Sequence, residues 1–300
     1  YPGTTEEIIV ASLTAGGFEL DEEVFVAYSP ERVDPGSAFA IHQIPKVVGG
    51  VSETSGAVAA AAYGRLVDEV HLVSDAKVAE LSKLLENTYR SVNIALANEM
   101  AQLADELDVS IWETIDAAAT KPFGFQPFYP GPGVGGHCIP LDPQYLAWKA
   151  REVGGSIRFI DLAEQVNTNM PKYVVERVAR LLNDRGRALK GSTVLAVGLT
   201  YKPNIADDRE SPSVEVVERL AQRGANVHVI EPMLTQASVE AHGVTAINQG
   251  ATLGAVDLAI ILTDHDDVDY EEIAHSVPVV FDTRGAYRKR ALSFSNVVEI

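Results

Sequence analysis

The stretch Thr193-Val194-Leu195-Ala196-Val197-Gly198-Leu199-Thr200-Tyr201-Lys202-Pro203-Asn204 runs apolar for most of its length and ends in a polar loop. Apolar residues in succession, without alternation, read as a strand buried on both faces. A helical pattern follows over 212–223. Further apolar runs are Val227-His228-Val229-Ile230, Leu258-Ala259-Ile260-Ile261-Leu262 and Val277-Pro278-Val279-Val280-Phe281. Continuous apolar strands separated by helices predict a parallel sheet covered on both faces. The fold class is therefore α/β, with a Rossmann-like parallel-sheet domain over 186–300.

Two other regions lie upstream. Residues 1–74 alternate helix and strand: a helix at about 5–15, the run Val24-Phe25-Val26-Ala27-Tyr28, and the loop Ser29-Pro30-Glu31-Arg32. Then come Lys46-Val47-Val48-Gly49-Gly50, an Ala-rich helix near 53–67 and Val70-His71-Leu72-Val73. This is too short for a complete doubly wound sheet and reads as the back half of one. The opening Tyr1-Pro2-Gly3-Thr4-Thr5-Glu6-Glu7 has no initiator Met, so the chain is expected to begin inside a larger protein.

Residues 75–185 read as a central helical region. Val78, Leu81, Leu85, Val92, Leu96, Leu103 and Leu107 recur at helical spacing with no Pro or Gly between them. One helix over 75–107, roughly 33 residues, would be ~50 Å long, a length suited to linking domains or packing against a second copy. Shorter helices are expected near 110–119, 143–152, 158–169 and 172–184.

Composition narrows the function class. The chain has 300 residues, 46% hydrophobic and 22% charged, so it can bury two or more cores. A net charge of −18 argues against nucleic acid or an anionic membrane as the main partner. No apolar run approaches the roughly 20 residues that span a bilayer. One cysteine excludes an internal disulfide framework and a Cys-rich metal site, the histidine spacing offers no metal site, and a reducing cytoplasm is expected.

That cysteine sits in Pro130-Gly131-Pro132-Gly133-Val134-Gly135-Gly136-His137-Cys138-Ile139-Pro140-Leu141-Asp142-Pro143. Gly131, Gly133 and Gly136 satisfy G-x-G-x-x-G, but a dinucleotide turn needs a strand before it and a helix at its third glycine. Aromatic and Pro-rich sequence precedes this one, and Pro140 would disrupt a helix begun at Gly136. The glycines are instead expected to let backbone approach a ligand. Asp142 can cap a helix starting at Pro143, which places Cys138 one turn before its positive end and favours the thiolate. The alternative is a buried, inert thiol.

Other candidates are weaker taken singly. Lys83 and Asn87 share a helix face and could stabilise an oxyanion, or simply form a solvated face with Glu80. Lys202 follows a strand end, and Arg209 precedes a helix capped by Ser211 with Pro212 at its first position. Together they suit a phosphate, or are loop charges. Glu31 is either a general base or a loop carboxylate. His137 adjoins Cys138 and does not form a dyad with it.

The set Ser29-Pro30-Glu31-Arg32, Lys83-x-x-x-Asn87, Gly135-Gly136-x-Cys138-x-x-x-Asp142 and Tyr201-Lys202-Pro203…Arg209-Glu210-Ser211, in this order, resembles the UDP-glucose/GDP-mannose dehydrogenase family. The resemblance is strongest to its UDP-N-acetylhexosamine 6-dehydrogenases and runs from Tyr1 to Ile300. It implies that 1–74 is the C-terminal part of a truncated NAD-binding Rossmann domain. It also implies that 75–185 is the dimerisation region with the catalytic loop, and that 186–300 binds the UDP-sugar. The family's strand–glycine-turn–helix is missing from these residues, which are expected not to turn over by themselves.

The resemblance further implies NAD-dependent, four-electron oxidation of the sugar C6 hydroxyl through a thioester on Cys138. Lys83 and Asn87 would stabilise oxyanions, Asp142 would position water or Lys83, and Glu31 would assist hydrolysis. Arg32, Tyr129, Pro130, Gly131, Gly133, Gly135, Lys202 and Arg284 would face the substrate. Lys121 stands near the family's cross-subunit arginine. Arg209 and Gly136 would face NAD. A homodimer through the long helix is implied, with UDP-N-acetylglucosamine as first substrate and UDP-N-acetylmannosamine or UDP-glucose as alternatives. Two rivals remain: an inert nucleotide-sugar-binding or dimerisation module, and a cysteine hydrolase, which lacks its paired histidine.

Overall fold

A computed structural model describes residues 1–34, 39–251 and 255–300. The chain forms two compact units, 1–90 with 141–160, and 91–140 with 161–300.

The first unit holds a three-stranded sheet, β1 (Ala27–Tyr28), β2 (Lys46–Gly50) and β3 (Val70–Val73), in that order. β1 is antiparallel to β2 and β3 is parallel to it. The strand expected over 24–28 shrinks to two residues because Val24 bridges Leu20 instead. A π-helical segment Thr5–Val10 continues into α1 (Ala11–Ala15), as the helix expected at 5–15. Glu80 fixes the start of this segment: its buried carboxylate accepts Thr5 N–H at 2.8 Å, Thr5 Oγ1–H at 2.6 Å and the N–H of Gly3. α2 (Glu53–Tyr63) is capped by the Ser52 hydroxyl, which accepts the N–H of Ser55.

Helix α3 (Ala76–Glu106) is the long helix of the sequence reading, within one residue at each end. After α4 (Ile111–Ala119) come two differences. α5 (Cys138–Glu152) starts five residues before the expected Pro143, so Asp142 lies inside it and caps nothing. Pro140 is the third residue of α5, where a backbone N–H would have no intrahelical acceptor in any case. It therefore disrupts nothing. α6 (Arg158–Asn183) is a single helix where two were expected, and passes through Pro171. Pro171 costs the helix one backbone bond, the one that would have reached the carbonyl of Asn167.

The second unit carries a six-stranded sheet in the order β6-β5-β4-β7-β8-β9, with every pairing parallel. The strands are β4 (Thr193–Val197), β5 (Asn226–Ile230), β6 (Thr245–Ala246), β7 (Leu258–Ile261), β8 (Val280–Asp282) and β9 (Val297–Glu299). Their helices are α7 (Pro212–Gln222), α8 (Gln236–Glu240), α9 (Tyr270–Ser276) and α10 (Ala286–Lys289). β8 begins three residues later than expected, because Val277 still caps α9 and Pro278 has no N–H to give a ladder.

Strand residues alternate between two cores. Val194, Ala196, Val227, Val229, Leu258 and Ile260 pack with Met170, Val174, Val178 and Leu182 of α6 and Val216, Val217 and Leu220 of α7. Leu195, Val197, Ala259 and Ile261 pack on the other face with Tyr270, Ile273 and Tyr287. Both faces of the sheet are dry, which is why its strands read as unbroken apolar runs.

Candidate active site

In the first unit, Asn87 of α3 is buried and donates its Nδ2–H to Asp142 Oδ2 of α5. Lys83, one turn earlier on α3, is half-buried and has no ion pair among the described residues. Glu31 follows β1, and its Oε1 accepts the N–H groups of Val33 at 2.6 Å and Arg32 at 2.7 Å. Its Oε2 lies 3.3 Å from Lys46 Nζ. The Val33 N–H above all, with Lys46 and the Arg32 N–H, holds the Glu31 carboxyl below the ordinary carboxylate range, against the opposing effect of burial. Arg32 pairs with Glu86 at 2.9 Å and donates NH1 to Pro45 O, also at 2.9 Å.

In the second unit, Cys138 is the first residue of α5 and its thiol is exposed, not buried. The loop ahead of it is held by a chain of amides that sequence reading missed. Gly131 N–H donates to Asn98 Oδ1 at 3.0 Å, Asn98 Nδ2 to Asn167 Oδ1 at 3.0 Å, and Asn167 Nδ2 to Ser91 O at 3.2 Å. Both asparagines are buried. The signal for Asn98 was present as a polar stripe, Asn87, Ser91 and Asn98, at helical spacing on α3, while Asn167 on α6 carried none.

The glycines of the loop admit the chain's own side chains. A Cβ on Gly135 would lie 2.7 Å from both Tyr201 Cβ and Pro212 Cδ. One on Gly136, at φ +82°, would meet the Tyr201 ring at 2.9 Å. Gly133 packs against Pro212 and the Asn167 carbonyl that Pro171 leaves without its helical partner, and Gly131 against Arg284 NH1. Pro130 is buried beside them.

Arg284 donates Nε–H to Leu262 O at 2.7 Å and its own N–H to Asp282 Oδ1 at 2.9 Å. Burial weakens its hold on the proton, while Asp264 and Asp282 oppose that effect. Tyr129 is partly exposed, stacks on Trp112 at 5.2 Å and donates its hydroxyl to Asp116 at 2.8 Å; Arg288 NH2 holds the same carboxylate at 2.7 Å. Lys121 is exposed, with its ammonium 5.0 Å over the Phe123 ring.

Lys202 lies in the turn after β4, and its carbonyl accepts Thr200 Oγ1–H at 3.0 Å. Arg209, two residues before the Ser211 cap of α7, is exposed and doubly bonded to Asp207, at 2.9 and 2.6 Å. Glu231 and His265, also missed in the sequence, are buried together at 3.1 Å at the carboxyl end of the same sheet.

These residues do not build a turn for a dinucleotide pyrophosphate. No strand precedes the G-x-G-x-x-G at 131–136, and the Tyr201 ring covers its last glycine. β2 ends in Gly49-Gly50 and the turn to α2 is Val51-Ser52, without the fingerprint. Among the described residues there is no His/Cys/Asp/Glu group that could hold a metal ion, and no helix is long and apolar enough to cross a membrane.

Comparison with known proteins gives this arrangement a context. Residues 77–169 match the UDP-glucose/GDP-mannose dehydrogenase family, central domain, and residues 195–289 match the UDP binding domain of that family. The chain is 36% identical over 303 residues to Protein CapL of Staphylococcus aureus, covering 98% of this chain and 71% of that protein. It is 36% identical over 293 residues to the UDP-N-acetyl-D-mannosamine dehydrogenase of Methanocaldococcus jannaschii, covering 94% of this chain but only 64% of that protein. The solved structure of a UDP-D-ManNAc dehydrogenase from Pyrococcus horikoshii superposes with a TM-score of 0.83 at 29% identity, covering all of this chain and 70% of that one. A dehydrogenase family whose central and UDP binding domains both match, in the order in which the sequence motifs run, leaves one assignment: the chain belongs to the UDP-glucose/GDP-mannose dehydrogenase family.

Proposed function

We propose that the whole protein is an NAD-dependent UDP-N-acetylhexosamine 6-dehydrogenase that oxidises the C6 hydroxyl to the uronic acid through a thioester on Cys138. The observation that carries the reading is the exposed Cys138 at the start of α5, one helical turn before an Asp142 already bonded to Asn87. Family membership supplies the reaction class. The chain spans 61% to 71% of the first three curated relatives it matches, so the activity is proposed for the full-length protein.

Oxidation of an alcohol to an acid removes four electrons as two hydrides, and NAD is the proposed acceptor. C6 first becomes an aldehyde, with the hydroxyl proton lost to solvent. The Cys138 thiolate adds to that aldehyde, and the resulting oxyanion, or its protonated thiohemiacetal, is the species oxidised next. The thioester then takes up water and releases the acid and the thiol. Lys83 and the second N–H of Asn87 would stabilise the oxyanion, and Asp142 would fix Asn87 and order Lys83 or water. A carboxyl held as low as Glu31 is a weak base, so its proposed part is to orient the hydrolytic water.

The remaining assignments follow the same reading. Arg32, Tyr129, Pro130, Gly131, Gly133, Gly135, Lys202 and Arg284 face the UDP-sugar. Lys121 acts across a dimer, and Arg209 and Gly136 face NAD phosphate. Exposed Leu81, Leu85, Leu96 and Leu103 along α3 support a homodimer through that helix. The functional division into 1–74, 75–185 and 186–300 and a cytoplasmic location are part of the proposal.

NADH yield per sugar by the full-length protein, with UDP-N-acetylglucosamine, UDP-N-acetylmannosamine and UDP-glucose in parallel, tests the reading. Two NADH per N-acetylated sugar are expected. One NADH would mean a simple alcohol dehydrogenase, and none, with UDP still bound, an inert nucleotide-sugar module.

A further inference from the structure

Lys202 sits in a turn whose backbone is tied on both sides to one buried pair. Glu231, just past β5, directs Oε2 at the N–H groups of Leu199, 2.6 Å, and Thr200, 3.2 Å, while Oε1 accepts Met233 N–H at 2.7 Å. His265, beyond β7 and wholly buried, accepts the N–H of Asn204 on Nδ1 at 3.0 Å. A backbone donor at Nδ1 fixes the ring proton on Nε2, which then donates to Glu231 Oε2 at 3.1 Å. Thr263 Oγ1–H holds the carbonyl of Thr200, and the Thr200 hydroxyl holds that of Lys202. Asn204, at φ +61°, closes the turn through paired bonds with Asp266 at 2.7 and 3.0 Å.

The strand order gives this pair its meaning. Numbered along the chain, the sheet reads 3-2-1-4-5-6, the order of dinucleotide-binding sheets, in which an acid after the second strand receives the ribose hydroxyls. Glu231 stands at the end of the second strand but spends Oε2 on the 199–204 turn and Oε1 on the N–H of Met233. Burial works against its charge, yet the His265 and Leu199 donors hold its carboxyl below the ordinary range. The crevice is committed to shaping a turn, not to taking a ribose.

We propose that Glu231 and His265 are positioning residues which fix the 199–204 turn so that Lys202 meets the diphosphate of the UDP-sugar. This rests on the reading of Lys202 as a diphosphate contact. The test measures UDP and uridine binding by calorimetry, steady-state kinetics, and amide hydrogen exchange on the full-length protein, for the wild type, Glu231→Gln and His265→Ala. Glu231→Gln keeps the side-chain shape and guards against a variant that merely fails to fold.

UDP affinity is expected to fall about tenfold, with KM rising alike and kcat falling much less, the loss of roughly one hydrogen bond to a charged group. Uridine affinity should hold, and exchange at Leu199, Thr200 and Asn204 should speed up. Folded variants that bind UDP like the wild type, or that lose kcat at constant KM, would overturn the proposal. Wild-type protein that does not bind UDP would instead overturn the reading of the site on which it rests.

Discussion

Asn87 and Asp142, 55 residues apart in sequence, are joined by a hydrogen bond from the Asn87 amide to the Asp142 carboxylate. A carboxylate acceptor settles which way the amide faces, since only Nδ2 can donate to it. One of its two N–H groups is used, and the other is presented in a fixed direction. An oriented donor of this kind is what a developing oxyanion requires, because nothing has to reorganise as the charge forms.

Replacing Asn87 by Ala should therefore reduce kcat about 10²–10³-fold, the usual cost of one oxyanion donor, while the Kd for UDP changes little. Asp142→Ala should fall in the same direction by leaving the amide free to turn. Steady-state rates beside calorimetric UDP binding separate the two effects, and a loss in Kd alone would speak against the oxyanion role.

The amide relay makes a different demand. Asn98→Leu strands the buried N–H of Gly131 and one side of Asn167. Unsatisfied buried groups cost about 1–3 kcal/mol each, so the denaturant midpoint should fall accordingly at unchanged slope. Asn98→Asp keeps the acceptor for Gly131 but not the donor for Asn167, and should lie between.

Gly135→Ala should be the costliest change in the loop. Its Cβ would meet Tyr201 and Pro212 at 2.7 Å and the backbone oxygen of Glu210 at 2.8 Å. Overpacking of this sort costs about 1–3 kcal/mol or moves the backbone, so UDP binding should weaken along with stability. Gly155→Ala, whose nearest contact would be 3.4 Å from Ala150 O, is the control and should leave thermal stability nearly unchanged.

Acid should loosen the Tyr129 cluster. Arg288 first, then Tyr129, hold the Asp116 carboxyl below its ordinary value. A carboxylate with a depressed folded pKa contributes stability above its unfolded pKa and loses it as pH falls through the folded one. Asp116→Asn should therefore lower Tm at neutral pH and flatten part of the acid side of the Tm–pH curve, the two proteins converging as pH falls through the folded pKa. The site is partly exposed, so the effect should be modest and shrink in salt.

The sheet of the second unit was legible because both its faces are dry, so that β4, β5 and β7 needed no periodicity to be found. β6 and β9, two and three residues at the edges, carry too little pattern to read. Pro140 misled the helix reading because the cost of a proline depends on its place in the helix, which the sequence does not show, and α6 runs unbroken through the gap expected between 169 and 172. Cys138 stood out by its glycine-rich loop, Lys83 and Asn87 only as a shared helix face, and Asp142 only as a helix cap, which it is not; the family resemblance, not spacing, grouped them. Asn167, Glu231 and His265 could not be picked out, since their meaning lies in partners such as Asn98 and Leu199, brought to them only by the fold.

The central claim is that Cys138 carries the acyl group. Its most direct test is the rate at which full-length Cys138→Ser protein forms the UDP-sugar acid from UDP-N-acetylhexosamine. A fall of at least ~10³-fold relative to wild type is expected, as for loss of a covalent nucleophile, with UDP binding retained. Acid formation at the wild-type rate would contradict it.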